Sequence, residues 1–121
     1  MSIQEDEHIS ASVAVSPTTR VSLADIEASI LYECTQRGTA LMGVMYDTPE
    51  ETTARERLRI ITLHVIVMKN GFTVIGKSAP ADAENFNAEV GKKFAREDAI
   101  RQLWPLMGYA LRDQLMKDNA Q

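Results

Sequence analysis

The sequence predicts an α+β fold: an antiparallel sheet whose central hairpin turns at Asn70-Gly71, an N-terminal helix and a Pro-interrupted C-terminal helical segment. Three observations support this. Two β-rich runs flank Asn70-Gly71, and Asn-Gly is the preferred pair for a two-residue type I′ turn. Helical periodicity follows Ser22, and a longer stretch of it follows Asn87.

The apolar spacing after Ser22 predicts the first helix over residues 23–36. Ser22 offers an N-cap, and Asp25 places an acid in the first turn, where it is favoured. Gly38 marks the end of the helix. The single cysteine, Cys34, lies on the apolar stripe of this helix and is interpreted as a small core residue.

Residues 57–69, rich in Ile, Val and Thr, predict the strongest strand, and residues 72–77 predict its partner. A two-residue turn pairs Ile66 with Ile75 and leaves both faces of the hairpin mostly apolar. A hairpin with one solvated face alternates apolar with polar residues. We therefore expect the second face to be covered by another sheet, by the N-terminal tail or, as the favoured alternative, by another subunit.

Two shorter segments separate the first helix from the hairpin. Residues 41–46 are apolar and predict a short strand. Residues 47–56 are polar, and they form either a solvated loop or a helical turn that begins at Thr48-Pro49.

A loop over residues 78–87 follows the hairpin, and Asn87 then provides an N-cap. Pro105 removes a backbone hydrogen bond and clashes with the preceding turn. The sequence therefore predicts two helical segments, over residues 88–103 and 105–117.

The 121 residues fit a single α+β domain over residues 21–121, preceded by residues 1–20 as a flexible tail or as an arm that orders only on a partner. No apolar run approaches the length of a membrane span, and the acidic N-terminus does not resemble a signal peptide. One cysteine can form neither an internal disulfide nor a cysteine zinc cluster. We expect a reducing cytosol as the compartment.

Catalytic motifs are absent from the sequence, so we expect no enzyme, no cofactor and no metal. His8 lies in the tail. His64 lies within the strongest strand, where a packed or hydrogen-bonded histidine is far commoner than a catalytic one. The net charge of −4 argues against non-specific nucleic-acid binding, which depends on neutralising phosphates.

Basic residues give a local signal. Residues 57–112 contain nine Lys and Arg but only five Asp and Glu, an excess of four positive charges. Lys92 and Arg96 are four residues apart and share a helix face. They lie in the first turns of their helix, where the helix dipole does not favour cations. This pair indicates either an anionic ligand or ordinary solvation.

Asn85 and Phe86 come directly before that helix. The Phe86 ring could stack on a base. As the residue before the Asn87 cap, it could instead form a hydrophobic staple with the first turns, which is the favoured alternative.

Four motifs occur in order: KNGFTV at residues 69–74, ENF at 84–86, GKKFARE at 91–97 and WPLMGYALR at 104–112. With them, residues 22–116 resemble a family of small phage proteins named for podovirus gene products. That family is similar to the Thoeris anti-defence one proteins. Those are phage sponges that sequester cyclic signalling nucleotides made by bacterial immune enzymes.

The resemblance implies a homo-oligomer, a dimer or higher, that binds a cyclic nucleotide or cyclic ADP-ribose-type signal in the host bacterial cytoplasm without cleaving it. The expected ligand-binding residues are Lys92, Arg96, Phe86, Asn85, Arg112 and Arg57. The alternative is an inhibitor that binds a host protein through the acidic tail or the polar segment over residues 47–56.

Overall fold

The computed structural model describes residues 20–120, which form three α-helices, two short 3-10 helices and a three-stranded sheet. The α-helices are α1 (Leu23–Ala28), α2 (Pro49–Leu58) and α3 (Ala88–Asn119), and the 3-10 helices are Gly38–Met42 and Ala83–Asn85. The strands β1 (Ile30–Arg37), β2 (Thr62–Met68) and β3 (Thr73–Ser78) form an antiparallel sheet in the order β1-β2-β3. The predicted α+β class is confirmed.

These elements contribute to two compact units. Unit one contains the chain up to Tyr32, the segment Ile66–Val74 and the chain from Ile100 onwards; unit two contains Glu33–Val65 and Ile75–Ala99. The prediction of one domain over residues 21–121 stays a prediction. The predicted tail lies, apart from Arg20, outside the described residues.

The buried core of unit one is apolar and comes from α1, the hairpin tip and the second part of α3: Ile26, Ile66, Met68, Val74, Ile100, Leu103 and Met107. In unit two, α3 lies directly against β3. A Cβ at Gly76 would collide with the backbone of Ala95 and Ala99, so only glycine permits this approach. In unit two the backbones of α3 and β3 are therefore in close contact, and the neighbouring strand β2 contributes the buried polar side chains of Thr62 and His64.

The first helix is much shorter than predicted. Ser22 caps α1 through a capping box with Asp25, as expected, but α1 ends at Ala28 and Ile30 begins strand β1. The spacing of apolar residues after position 29 fitted a helix, yet Ile30–Arg37 pairs with β2 instead. Cys34 is therefore a half-buried strand residue and not part of a helical core stripe.

The segment between β1 and β2 also differs from the prediction. Residues 41–46 form no strand, because the chain continues from a 3-10 helix into irregular structure. The helical alternative at Thr48-Pro49 is correct, and it extends to Leu58 as α2. A capping box between Thr48 and Glu51 starts this helix. Consequently β2 begins at Thr62 rather than at residue 57.

The predicted hairpin forms, but its turn is not type I′. The Gly71 N–H donates to the Met68 carbonyl at 2.9 Å, and the Met68 N–H donates to the Phe72 carbonyl at 2.8 Å. Gly71 has a φ of +92°, whereas Asn70 is not among the described residues with positive φ. This is a three-residue loop, in which a type I turn is followed by a G1 bulge.

The extra loop residue shifts the strand pairing by one position. Ile66 lies opposite Val74, and both are buried, which corrects the predicted pairing of Ile66 with Ile75. One face of β2 is buried along its whole length and the other is half-buried. On β3, Ile75 is 59% exposed. The expectation that another subunit covers this second face stays a prediction.

The C-terminal segment is one helix rather than two. Asn87 caps it as predicted, with its side-chain Oδ1 accepting the Val90 N–H at 3.0 Å. Pro105 lies inside α3 without ending it. Pro105 lies on an exposed part of the helix, where water can hydrate the backbone that the proline disturbs. Among the described residues, no helix is both long and apolar enough to cross a membrane.

Candidate functional site

A buried histidine organises the polar core of unit two. His64 on β2 is 3% exposed. Its Nδ1 lies 2.7 Å from the Thr35 hydroxyl, and its Nε2 lies 2.6 Å from Glu33 Oε1. Because a carboxylate only accepts, Nε2 carries the proton. The prediction that His64 is packed and hydrogen-bonded is confirmed.

Glu33 binds a second donor on α3. Arg96 Nε donates to Glu33 Oε1 at 2.8 Å, and Arg96 Nη2 donates to Oε2 at 3.2 Å. The Arg96 hydrogen bonds hold the pKa of Glu33 below its usual value of 4.5, and the hydrogen bond from His64 adds to this effect. The carboxylate therefore joins β1, β2 and α3 through charge-assisted hydrogen bonds.

This network changes the expected role of Arg96. The sequence places no acid between Lys92 and Arg96 on their helix face, but the structure supplies Glu33, 63 positions from Arg96 along the chain. The positive charge on Arg96 is thus already balanced by a carboxylate. Lys92 has no ion-pair partner within residues 20–120 and is exposed.

A second arrangement in unit two combines a cation with an aromatic ring. The Arg37 guanidinium lies 4.4 Å from the centroid of the Phe86 ring, which is cation–π geometry. Arg37 Nη1 also donates to the Arg59 carbonyl at 3.0 Å. Arg59 follows directly after α2, so this hydrogen bond places Arg37 beside the end of that helix. The predicted ligand residue Arg57 lies two positions before Arg59 in the chain.

The same ring lines a cleft of about 200 Å³ at the start of α3. Asn85, Phe86 and Asn87 contribute to it from the loop, and Val90 and Phe94 from the helix. Phe86 also lies beside Gly91, the fourth helical residue, in agreement with the staple alternative. The cleft therefore offers two aromatic rings and two side-chain amides at one helix start.

The predicted site residues are thus only partly brought together. Asn85 and Phe86 share the cleft, and Arg57 lies near it through Arg37 and Arg59. Arg112 belongs to unit one.

Sequence reasoning missed two residues of this site, Arg37 and Glu33. The alternating polar residues Glu33, Thr35 and Arg37 carried a signal for them. Read with the period of a strand, the three share one face.

No group of three or more potential metal-ligating side chains occurs within residues 20–120. The fold and the cleft define a small α+β protein with a three-stranded antiparallel sheet, a long C-terminal helix and a surface that combines cations with aromatic rings. The chain belongs to the phage protein (N4 Gp49/phage Sf6 gene 66) family, whose family model matches residues 21–115. Searches of curated proteins and of solved structures found no match.

Proposed function

We propose that this phage protein is a sponge, which binds and sequesters a cyclic nucleotide or cyclic ADP-ribose-type immune signal without cleaving it. It would act as a homo-oligomer in the host bacterial cytoplasm. The observation that carries the proposal is the Arg37 guanidinium over Phe86 at a cleft that also contains Asn85. The resemblance to the Thoeris anti-defence one proteins motivates this choice of ligand class.

Each part of a nucleotide has a matching group at this surface. Arg37 uses one donor on the Arg59 carbonyl, and a guanidinium has five, so donors remain for a phosphate. Lys92, the fifth residue of α3, adds an exposed cation at the same end of the helix, although it does not line the cleft itself. Phe86 and Phe94 offer ring faces to a base, and the amide of Asn85 offers both a donor and an acceptor.

Binding without cleavage is supported by the state of His64. The ring is buried, and both of its nitrogens have hydrogen-bond partners, Thr35 and Glu33. A general base must reach the proton that it abstracts. His64 is buried inside unit two with both ring nitrogens already engaged, which argues against this role for it.

Isothermal titration calorimetry tests the proposal with cyclic di-AMP, cyclic GMP–AMP and cyclic ADP-ribose as probes. We expect at least one probe to bind with a Kd below about 10 μM, the upper limit for a useful sequestering protein. We also expect its intact recovery after the complex is denatured. Failure of all such cyclic nucleotides to bind, or recovery of a hydrolysed product, would overturn the proposal.

Two variants locate the site. Phe86→Ala removes the ring, and Lys92→Glu reverses the charge of an exposed lysine in the second turn of α3, so each should weaken binding at least tenfold. Lys117→Glu makes the same charge change at the other end of α3 and serves as the control. Equal losses for Lys92→Glu and Lys117→Glu would show that net charge, and not this surface, controls binding.

A further inference from the structure

Unit two carries a projecting apolar segment, residues 41–46, which we call the apolar loop. Its large side chains Leu41, Val44 and Tyr46 are 70%, 74% and 78% exposed. Single apolar residues on a surface are ordinary, but here three large exposed ones lie within six positions of one segment. Such a patch is typical of a docking element.

The apolar loop is held in place although its side chains are exposed. The Glu51 carboxylate accepts the Tyr46 N–H at 2.9 Å and the Thr48 N–H at 2.8 Å, which fixes the end of the loop to the start of α2. Gly43 and Asp47 adopt φ values of +63° and +60°. Asp47 is not a glycine, so its backbone conformation is maintained by its surroundings at an energetic cost. A loop ordered before binding loses less conformational entropy when it binds.

Unit one carries an apolar cleft of about 200 Å³. Its walls are mostly apolar and come from the hairpin tip and one face of α3: Met68, Phe72, Leu103, Leu106, Met107 and Ala110, with the polar residues Ser29 and Asn70 beside them. Phe72 and Leu106 remain partly exposed, so the cleft opens to solvent. A cleft with these walls favours an apolar side chain over a charged ligand.

Acids follow the apolar loop and a lysine borders the cleft, and one cation, Arg55, also lies on the loop side, with its Nη2 2.9 Å from Met45 Sδ. Asp47 and Glu50, both exposed, follow directly after the apolar loop. Lys69, also exposed, lies in the hairpin turn between the cleft residues Met68 and Asn70. Opposite charges at the rim of a contact favour one orientation of the partners.

We propose that the apolar loop of one copy of this chain inserts into the apolar cleft of a second copy. Asp47 and Glu50 of the first copy then face Lys69 of the second. The two surfaces are different patches of the same chain, so the contact is heterologous. This inference names the contact for the self-association included in the proposed function. It is tested without a nucleotide, so its failure leaves the binding proposal intact.

Sedimentation equilibrium of the full chain measures the association directly. A single loop in a small cleft makes a limited contact, so we expect Kd values in the micromolar range. Val44→Asp should weaken association at least tenfold by charging the loop, and Leu106→Asp should do the same by charging the cleft. Trp104→Asp and Met116→Asp make the same change at exposed apolar residues outside both surfaces, and they should leave the Kd within about twofold.

Mixing the two disabled variants gives the sharpest test. Val44→Asp keeps an intact cleft and Leu106→Asp keeps an intact loop, so the mixture should form a heterodimer that neither variant forms alone. Glu50→Lys combined with Lys69→Glu should likewise recover association that each single change weakens.

Three results would overturn the proposal. The first is a wild-type chain that stays monomeric up to several hundred micromolar. The second is a mixture of Val44→Asp and Leu106→Asp that does not associate, which would assign the cleft to another occupant. The third is equal weakening by the control variants. Circular dichroism of each variant confirms that a lost association is not a lost fold.

Discussion

Replacing Glu33 with Ala removes the one carboxylate that His64 and Arg96 share. The His64 side chain is only 4% exposed, and its Nε2 atom lies 2.6 Å from Glu33 Oε1. In the variant this buried donor loses its acceptor. Arg96 loses two charge-assisted hydrogen bonds at the same time.

The magnitude follows from how exposed each group is. A buried donor without an acceptor costs about 1–3 kcal/mol. The Arg96 side chain is 36% exposed, so water can hydrate its guanidinium, and its lost ion pair adds at most about 1 kcal/mol. We therefore expect the free energy of unfolding to fall by about 2–3 kcal/mol, which corresponds to a drop in Tm of about 10 °C.

Urea denaturation followed by circular dichroism measures this loss. Glu56→Ala is the matched control, because Glu56 pairs with Arg59 at 3.5 Å with side chains that are 64% and 47% exposed. An exposed pair of this kind contributes less than about 0.5 kcal/mol. If Glu33→Ala costs no more than Glu56→Ala, the reasoning that the buried histidine depends on Glu33 is refuted.

Other predictions use the same denaturation assay. The pKa of Glu33 is lowered mainly by Arg96, so its contribution to stability is present above pH 4.5 and lost as the pH falls further; the stability difference between wild type and Glu33→Gln should shrink below pH 4.5. Gly76→Ala should destabilise by about 1–3 kcal/mol because its Cβ meets the α3 backbone, whereas Gly108→Ala, with open space around it, should stabilise by about 1 kcal/mol. A loss at Gly108 equal to that at Gly76 would contradict the contact argument. Pro105→Ala should stabilise by about 1–3 kcal/mol because it restores a helical donor, and a loss would show that Pro105 is needed in α3.

Local signals predicted much of the fold. The caps at Ser22, Thr48 and Asn87 act through side chains three residues from the groups that they bind, so the sequence alone displays them. Asn70-Gly71 marked the hairpin for the same reason. The predicted strand register was wrong because the bulge at Gly71 depends on which residues pair across the turn, and the sequence does not show that pairing.

Non-local partners explain the remaining errors. Ile30–Arg37 fits a helix by spacing and a strand by composition, and its pairing with β2, an element about thirty residues later, decides between them. The same error hid Glu33. With Glu33 assigned to a helix, Arg96 had no visible acid and looked available to a ligand. Asn85 and Phe86 were located by sequence because they are adjacent, whereas Arg37 joins them only through the fold.

The contact of Gly76 with α3 also limits how relatives of this chain can diverge. A larger residue at position 76 requires the helix backbone to withdraw, and no single substitution at Ala95 or Ala99 makes that room, since the obstacle is main chain. We therefore expect position 76 to tolerate no residue other than glycine. Exposed positions such as Ile75 can vary. A survey of family sequences should find glycine at position 76 even where the neighbouring strand residues vary freely.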